Sequence, residues 1–349
     1  MNYIIPRIFT CPTIRVCNWS EHTYSPVISH SLFYREQMVK TYAPSKNIFE
    51  IIQSKYISMY DIMKNEINHT VHNMFQDKVV TSSFFDLVEI MTAFNICNIC
   101  DASVFEILYP NNTQVQFRTL HVEDQSNSSR VAMDYIMSPM IKAISSDKFI
   151  VDHCSFVTDT GTNNIKIGED KSRFDFIYFD CTNDLDTGAY ISNSMGAFYK
   201  ILTETNQFGC SIIKINELWF APMIEIICGF CYMFNNVYVS KPTTCNATTN
   251  HRYIICLGFD ISRGLECKEK MNFSNEINDS TDINELSDVP CHVIEKIHES
   301  NIAIGRQRLE IIDQTINFTK SKLIDEKNSL VARTVYARSV QWLNVHKLS

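Results

Sequence analysis

The sequence predicts an α/β fold: a mostly parallel sheet with an antiparallel last strand, helices on both faces, and helical N- and C-terminal extensions. Three observations carry this. Strand-like and helix-like segments alternate over residues 79–259. The last two strands, "NNVYVSKP" and "RYIICLGF", follow one another without a helix, so a pairing there is antiparallel. Residues 46–75 and 290–349 repeat apolar side chains at helical spacing.

In order along the chain, residues 1–45 hold Pro6, Pro12, Pro26 and Pro44 and read as an irregular arm with a short helix near "SLFYREQMVKTY". Ile48, Ile51, Ile52, Tyr56, Met59, Ile62 and Met63 mark one or two amphipathic helices. "VVTSSFFDLVEIMTAF" is a helix that Ser82 or Ser83 would cap. "ICNIC" is a short buried strand, "DASVFEILY" a turn and helix, and "QVQFRTL" an alternating strand. A helix over 130–146 follows, then strands "FIVDHCSFV" and "RFDFIYFD", a helix over 187–206, strand "CSIIKIN" and the apolar helix "APMIEIICGFCYMF". Residues 267–288 are polar and acidic and read as a surface loop or linker. The organisation expected is an arm with helices (1–78), an α/β domain (79–262), an acidic linker (263–289) and a helical appendage (290–349).

The chain has 349 residues, 45% hydrophobic and 20% charged, a balance that fills a globular core. Its net charge of -8 argues against a sequence-independent nucleic-acid coat protein, while leaving room for a local basic groove. Thirteen cysteines include two C-x-x-C pairs, Cys97/Cys100 and Cys228/Cys231. The first lies in a strand-like run, where an odd separation points the thiols to opposite faces, and the second in an apolar helix, so core thiols rather than a metal are expected. No secretory signal and no apolar run long enough to span a bilayer are present, so a reducing, cytoplasmic compartment and no membrane partner are expected.

Two residues carry a chemical use together. Asp180 ends the apolar strand "RFDFIYFD", and Lys214 ends the next, "GCSIIKI". In a parallel α/β sheet, ligands bind beyond the carboxyl ends of the strands. An ammonium there can stabilise an alkoxide, and a neighbouring carboxylate holds the ammonium in place and keeps it charged. A third segment, "YVSKPTTCNATTNHRYIICLGF", runs from a strand ending in Lys241 and Pro242 through a polar loop into a returning strand.

In this order the three segments resemble the FtsJ-type ribose 2′-O-methyltransferases, in particular the cap-methylating viral and adrift-type branch. The resemblance covers residues 79–259 well and the tail weakly. It implies a Rossmann-like methyltransferase sheet, S-adenosylmethionine as methyl donor and capped mRNA as substrate. It also implies possible capping or transcription complex subunits as partners and, for a viral chain, the host cytoplasm or virion. The family's Lys-Asp-Lys-Glu tetrad puts its aspartate on Asp180 and its second lysine on Lys214. Its first lysine falls on Asp86 and its glutamate on His251. The family's glycine turn falls on "CDASVFEIL", which places Asp101, Ala102 and Ser103 at the cofactor but Val104 and Phe105 where glycines stand. "DTGTNNI" resembles the turn at the cofactor adenine, with Asp159, Gly161 and Asn163 in its frame and Asn163 or Asn164 replacing its acid.

Lys to Asp at position 86 reverses the charge where negative charge develops. His251 can still accept a hydrogen bond when neutral. Three functional readings follow: an active RNA ribose 2′-O-methyltransferase, a non-catalytic descendant that binds or scaffolds a capping complex, and a different Rossmann-like enzyme. Trp219 and Phe220 offer either stacking surfaces for a base or ordinary packing at a helix start, the favoured reading. Arg35 and Lys40 fit phosphate contacts or scattered surface charge equally well.

Overall fold

The computed structural model describes residues 1–16, 58–66, 81–96, 115–123, 127–143, 149–157, 173–182, 186–273, 289–320 and 324–346. Within them the chain begins with strands β1 (Asn2–Ile5) and β2 (Ile14–Val16), then helices α1 (Met59–Glu66) and α2 (Ser82–Ala93). Strand β3 (Val115–Glu123), helix α3 (Ser128–Ala143), and strands β4 (Phe149–Val157) and β5 (Phe174–Asp180) follow. Helix α4 (Thr187–Glu204) leads to β6 (Thr205–Ile215), and α5 (Ala221–Met233) to β7 (Phe234–Ser240) and β8 (Arg252–Phe259). The chain closes with α6 (Ile261–Lys270), β9 (Met271–Phe273), α7 (Cys291–Lys320) and α8 (Ile324–Val345).

Seven strands form one sheet in the order β1-β7-β8-β6-β5-β3-β4, and β2 pairs with β9 apart from it. The α/β class stands, but the sheet is mixed rather than mostly parallel. The pairs β3–β4, β3–β5 and β5–β6 are parallel, while β6–β8, β7–β8 and β1–β7 are antiparallel. The extra antiparallel pair comes from the N-terminus, expected to be irregular: Asn2–Ile5 runs against Val237–Ser240 and covers the sheet edge.

Side-chain alternation divides the core into two layers. On one face, Leu120, Ile177, Phe179, Ile213, Ile215, Val239 and Ile254 pack with α4, α5 and the start of α7. Helix α5 is apolar apart from Glu225 and every residue of it is buried, as a helix enclosed by other elements must be. Cys228 and Cys231 lie inside it, both buried. On the other face, Phe176, Tyr178, Ile212, Tyr253 and Ile255 pack with α2, α3 and Met63 of α1.

The C-terminal helices are not a separate appendage. Val293, Ile297 and Ile304 of α7 enter the first layer, while Trp342 and Leu343 of α8 enter the second. The expected linker is also shorter, because its first residues continue α6 and then form β9; residues 274–288 lie outside the described residues. Thr81, not Ser82 or Ser83, is the N-cap of α2, and its hydroxyl pairs with Ser128 Oγ at 2.7 Å instead of capping the helix. Within β6, Phe208 takes φ 63° where the register against β5 shifts. A Cβ on Gly209 would stand 2.9 Å from the Asn206 carbonyl oxygen, so glycine is required there. Ile96 closes the turn after α2; the rest of the expected strand (97–100) and the helix in "DASVFEILY" lie outside the described residues, as does most of 46–75. Among the described residues no helix is long and apolar enough to cross a membrane.

The small β2–β9 pair is tied to α5 by an ion pair. Arg15 donates from Nε (3.0 Å) and Nη2 (2.6 Å) to Glu225 Oε1, and the Glu225 side chain is fully buried. Removing the arginine takes a charged two-point donor away from a buried carboxylate. Arg15→Ala is therefore expected to lower the unfolding free energy by about 3 kcal/mol. Urea denaturation reads this, and adding Glu225→Gln should recover part of the loss.

Candidate functional site

β5 and β6 are parallel neighbours, and their register sets Asp180 directly beside Lys214. Both side chains emerge on the face covered by α2. Lys214 Nζ donates to Asp180 Oδ2 at 2.8 Å and to Ser83 Oγ of α2 at 3.1 Å. Asp180 Oδ1 accepts from the Thr182 backbone N–H at 2.9 Å and from its hydroxyl at 2.6 Å. Burial opposes the charged form of each group, but their mutual attraction wins. The Asp180 carboxyl is held below its ordinary value by Lys214 and Thr182. The Lys214 ammonium is held above its own by Asp180 and, more weakly, Asp86. Lys214 is thus a permanently charged donor, not a base.

The pair lies near a reversal of strand order. From β3 the chain steps outward to β4, then returns to β5 on the other side of β3 and continues to β6. In open α/β sheets such a switch point, beyond the carboxyl ends of the strands, is where ligands bind. β3 ends there at Glu123 and β5 at Asp180.

Asp86 lies one turn along α2 from Ser83 and is 1% exposed. Its oxygens are both engaged: Thr244 Oγ1 donates to Oδ1 at 2.5 Å and the Tyr253 hydroxyl to Oδ2 at 2.8 Å. Burial raises its carboxyl to about 6, against the pull of those two donors and Lys214. Position 86 thus holds a carboxylate locked into the core, within the field of Lys214. His251 is in the same field. Burial and Lys214 push its imidazole down to about 4, so it is neutral at pH 7.

The loop from Lys241 to His251 is held from several sides. Lys241 Nζ donates to the Thr249 and His251 carbonyls at 2.7 and 3.1 Å. Burial lowers this ammonium to about 8. Glu89 of α2 accepts from Thr243 N and Oγ1 (2.9 and 2.7 Å) and from Trp342 Nε1 of α8 (3.0 Å), while Arg308 of α7 donates to the Thr248 carbonyl at 2.7 Å.

A second buried polar cluster begins at Glu123, whose carboxylate accepts from the Ser129 N–H (3.0 and 3.1 Å) and hydroxyl (2.5 Å). The chain continues from Ser129 Oγ to His121 Nδ1 (2.8 Å), His121 Nε2 to Thr119 Oγ1 (2.9 Å), Thr119 Oγ1 to His153 Nδ1 (2.6 Å) and His153 Nε2 to Asp134 Oδ1 (2.8 Å). With both imidazoles neutral, two hydroxyls and two rings supply four protons for these five links between two carboxylates. One acidic or imidazole group of the chain must therefore carry an additional proton. Burial drives His121 down to about 3, which places that proton elsewhere. The strand predicted over 114–120 reaches Thr119 but ends before His121 and Glu123. The period-2 placement of Thr119, His121 and Glu123 on one face was the signal available.

Of the predicted site residues, the structure brings Asp86, Asp180, Lys214 and His251 together. Asp101, Ala102, Ser103, Asp159, Gly161 and Asn163 lie outside the described residues, as do Arg35, Lys40, Cys97 and Cys100. Glu123, the acid that ends β3, is turned onto α3 by its hydrogen bonds with Ser129. Trp219 and Phe220 are buried and pack in the first core layer, so the packing reading holds. Among the described residues no group of three or more His, Cys, Asp or Glu could hold a metal ion. No known protein family matches the chain, and no curated protein matches it in sequence.

Because its carboxyl is raised in the folded state, Asp86 costs nothing below its unfolded value near pH 4, and stability falls as pH rises toward 6. Asp86→Asn keeps the shape without the charge. It is expected to raise the unfolding free energy by about 3 kcal/mol at pH 8, with no gain at pH 4. Thermal unfolding across that range measures it.

Proposed function

We propose that the chain is a ribose 2′-O-methyltransferase-type protein with a Rossmann-like sheet, acting on RNA of the capped mRNA class, with S-adenosylmethionine as the expected methyl donor. The observation that supports it is the 2.8 Å contact of Asp180 and Lys214 at the carboxyl ends of adjacent parallel strands. Such a site favours a hydroxyl oxygen that gains negative charge as its proton passes to solvent. The Lys214 ammonium donates toward that oxygen, and Asp180 fixes its direction and keeps it protonated. Ser83 holds a second hydrogen of the ammonium from α2.

A second reading rests on Asp86. An ionised carboxylate near Lys214 offsets the positive field that an alkoxide needs, and its oxygens serve Thr244 and Tyr253 rather than a substrate. On this reading the chain is a non-catalytic subunit that binds RNA or a capping complex.

Calorimetric titration with S-adenosylmethionine, followed by methyl transfer from a labelled donor to a capped RNA, separates the two. The first reading expects saturable binding and transfer that falls at least about a hundredfold in Lys214→Ala. Donor binding without transfer supports the second. A folded protein that binds neither donor nor capped RNA overturns both.

A further inference from the structure

The Lys241–His251 loop forms one wall of a groove of about 430 Å³, closed by α1, α7 and α8. This is within the size range of small-ligand clefts. We propose that the groove holds a nucleotide of single-stranded RNA, its base against the apolar wall and its phosphate toward Arg338. The inference rests on the RNA reading above and assigns the RNA a place on the molecule.

Charge is the first argument. The chain carries 39 acidic residues and a net charge of -8, so its overall field opposes a polyanion. None of the residues lining this groove is acidic, and Arg338 stands exposed on it. Among the described residues no ion pair engages that guanidinium. Chemistry is the second argument. Met59, Ile311 and Val335 give an apolar surface for a base, while Gln307 and Gln341 offer amide donors and acceptors for a base edge or sugar.

Order is the third argument. The groove walls are fixed without a ligand: Glu89 joins Thr243 of the loop to Trp342 of α8, and Arg308 clamps the loop at Thr248. A site ordered beforehand loses less freedom on binding. Position is the fourth. Thr244 lines the groove and also donates to Asp86, which feels Lys214. An occupant therefore touches a residue that is hydrogen-bonded to Asp86, whose charge lies in the field of Lys214.

The test is fluorescence anisotropy of the full chain with a short fluorescein-labelled, single-stranded capped RNA at low salt. Arg338→Ala removes the phosphate partner and Ala247→Trp fills the groove. Arg333→Ala removes an equal charge from an exposed position on the same helix outside the groove. The expected result is about tenfold weaker binding for each groove variant, with Arg333→Ala within about twofold of the parent. If the parent binds RNA and both groove variants bind equally well, the groove assignment is overturned and the RNA reading survives. If the folded parent binds no RNA, both fall.

Discussion

Asp180 and Lys214 are two opposite charges in a place where neither could remain alone. Each is nearly removed from water, and burial opposes the ionised form of both. Only their contact, with hydrogen bonds from Thr182 and to Ser83, keeps them charged. The pair is thus a constraint on the structure around it: β5 and β6 must keep their register, and α2 must bring Ser83 over the strand ends. An interior pair of this kind is weak as a source of net stability but strict about geometry, because separating the partners exposes the full cost of each buried charge.

The rest of the polar layer follows the same rule. Asp86 is tolerated because Thr244 and Tyr253 satisfy it, and the same bonds draw the 241–251 loop onto α2. Glu89 extends that attachment to α8, so the C-terminal helix packs against the site instead of hanging free. Beside it, the Glu123–Asp134 chain of histidines and hydroxyls is satisfied only with an additional proton. Such a network specifies one arrangement when complete and is costly when a member is missing. A layer this dense in charge limits chemistry as well as providing for it, since the carboxylate at position 86 lowers the positive potential that Lys214 would lend to a substrate.

The pairing of Asp180 with Lys214 was legible in the sequence because two apolar strands each carry a charged residue at or next to their last position, and a single helix joins them. The α5 core helix was legible from an apolar run that only Glu225 interrupts. The N-terminal edge strand was not: four residues of "NYII" have no period to read, and only β7 running alongside makes them a strand. The tail's helices were legible, but not their location, because helical spacing shows that a face is buried without saying against what. The role of Asp86 was half legible. Its position in α2 could be read, yet its two hydroxyl partners are 158 and 167 residues away. No local pattern records such a contact.

A double-mutant cycle on Asp180→Asn and Lys214→Met, read by urea denaturation of the full chain at neutral pH, tests the central constraint most directly. Each single change leaves a buried charge unpaired, and the double change removes both. The account predicts that the double variant is more stable than the sum of the single losses implies, with a coupling of about 2 kcal/mol. Additive losses, with no coupling beyond about 0.5 kcal/mol, would show that the two groups do not meet, and the site built on them would not exist.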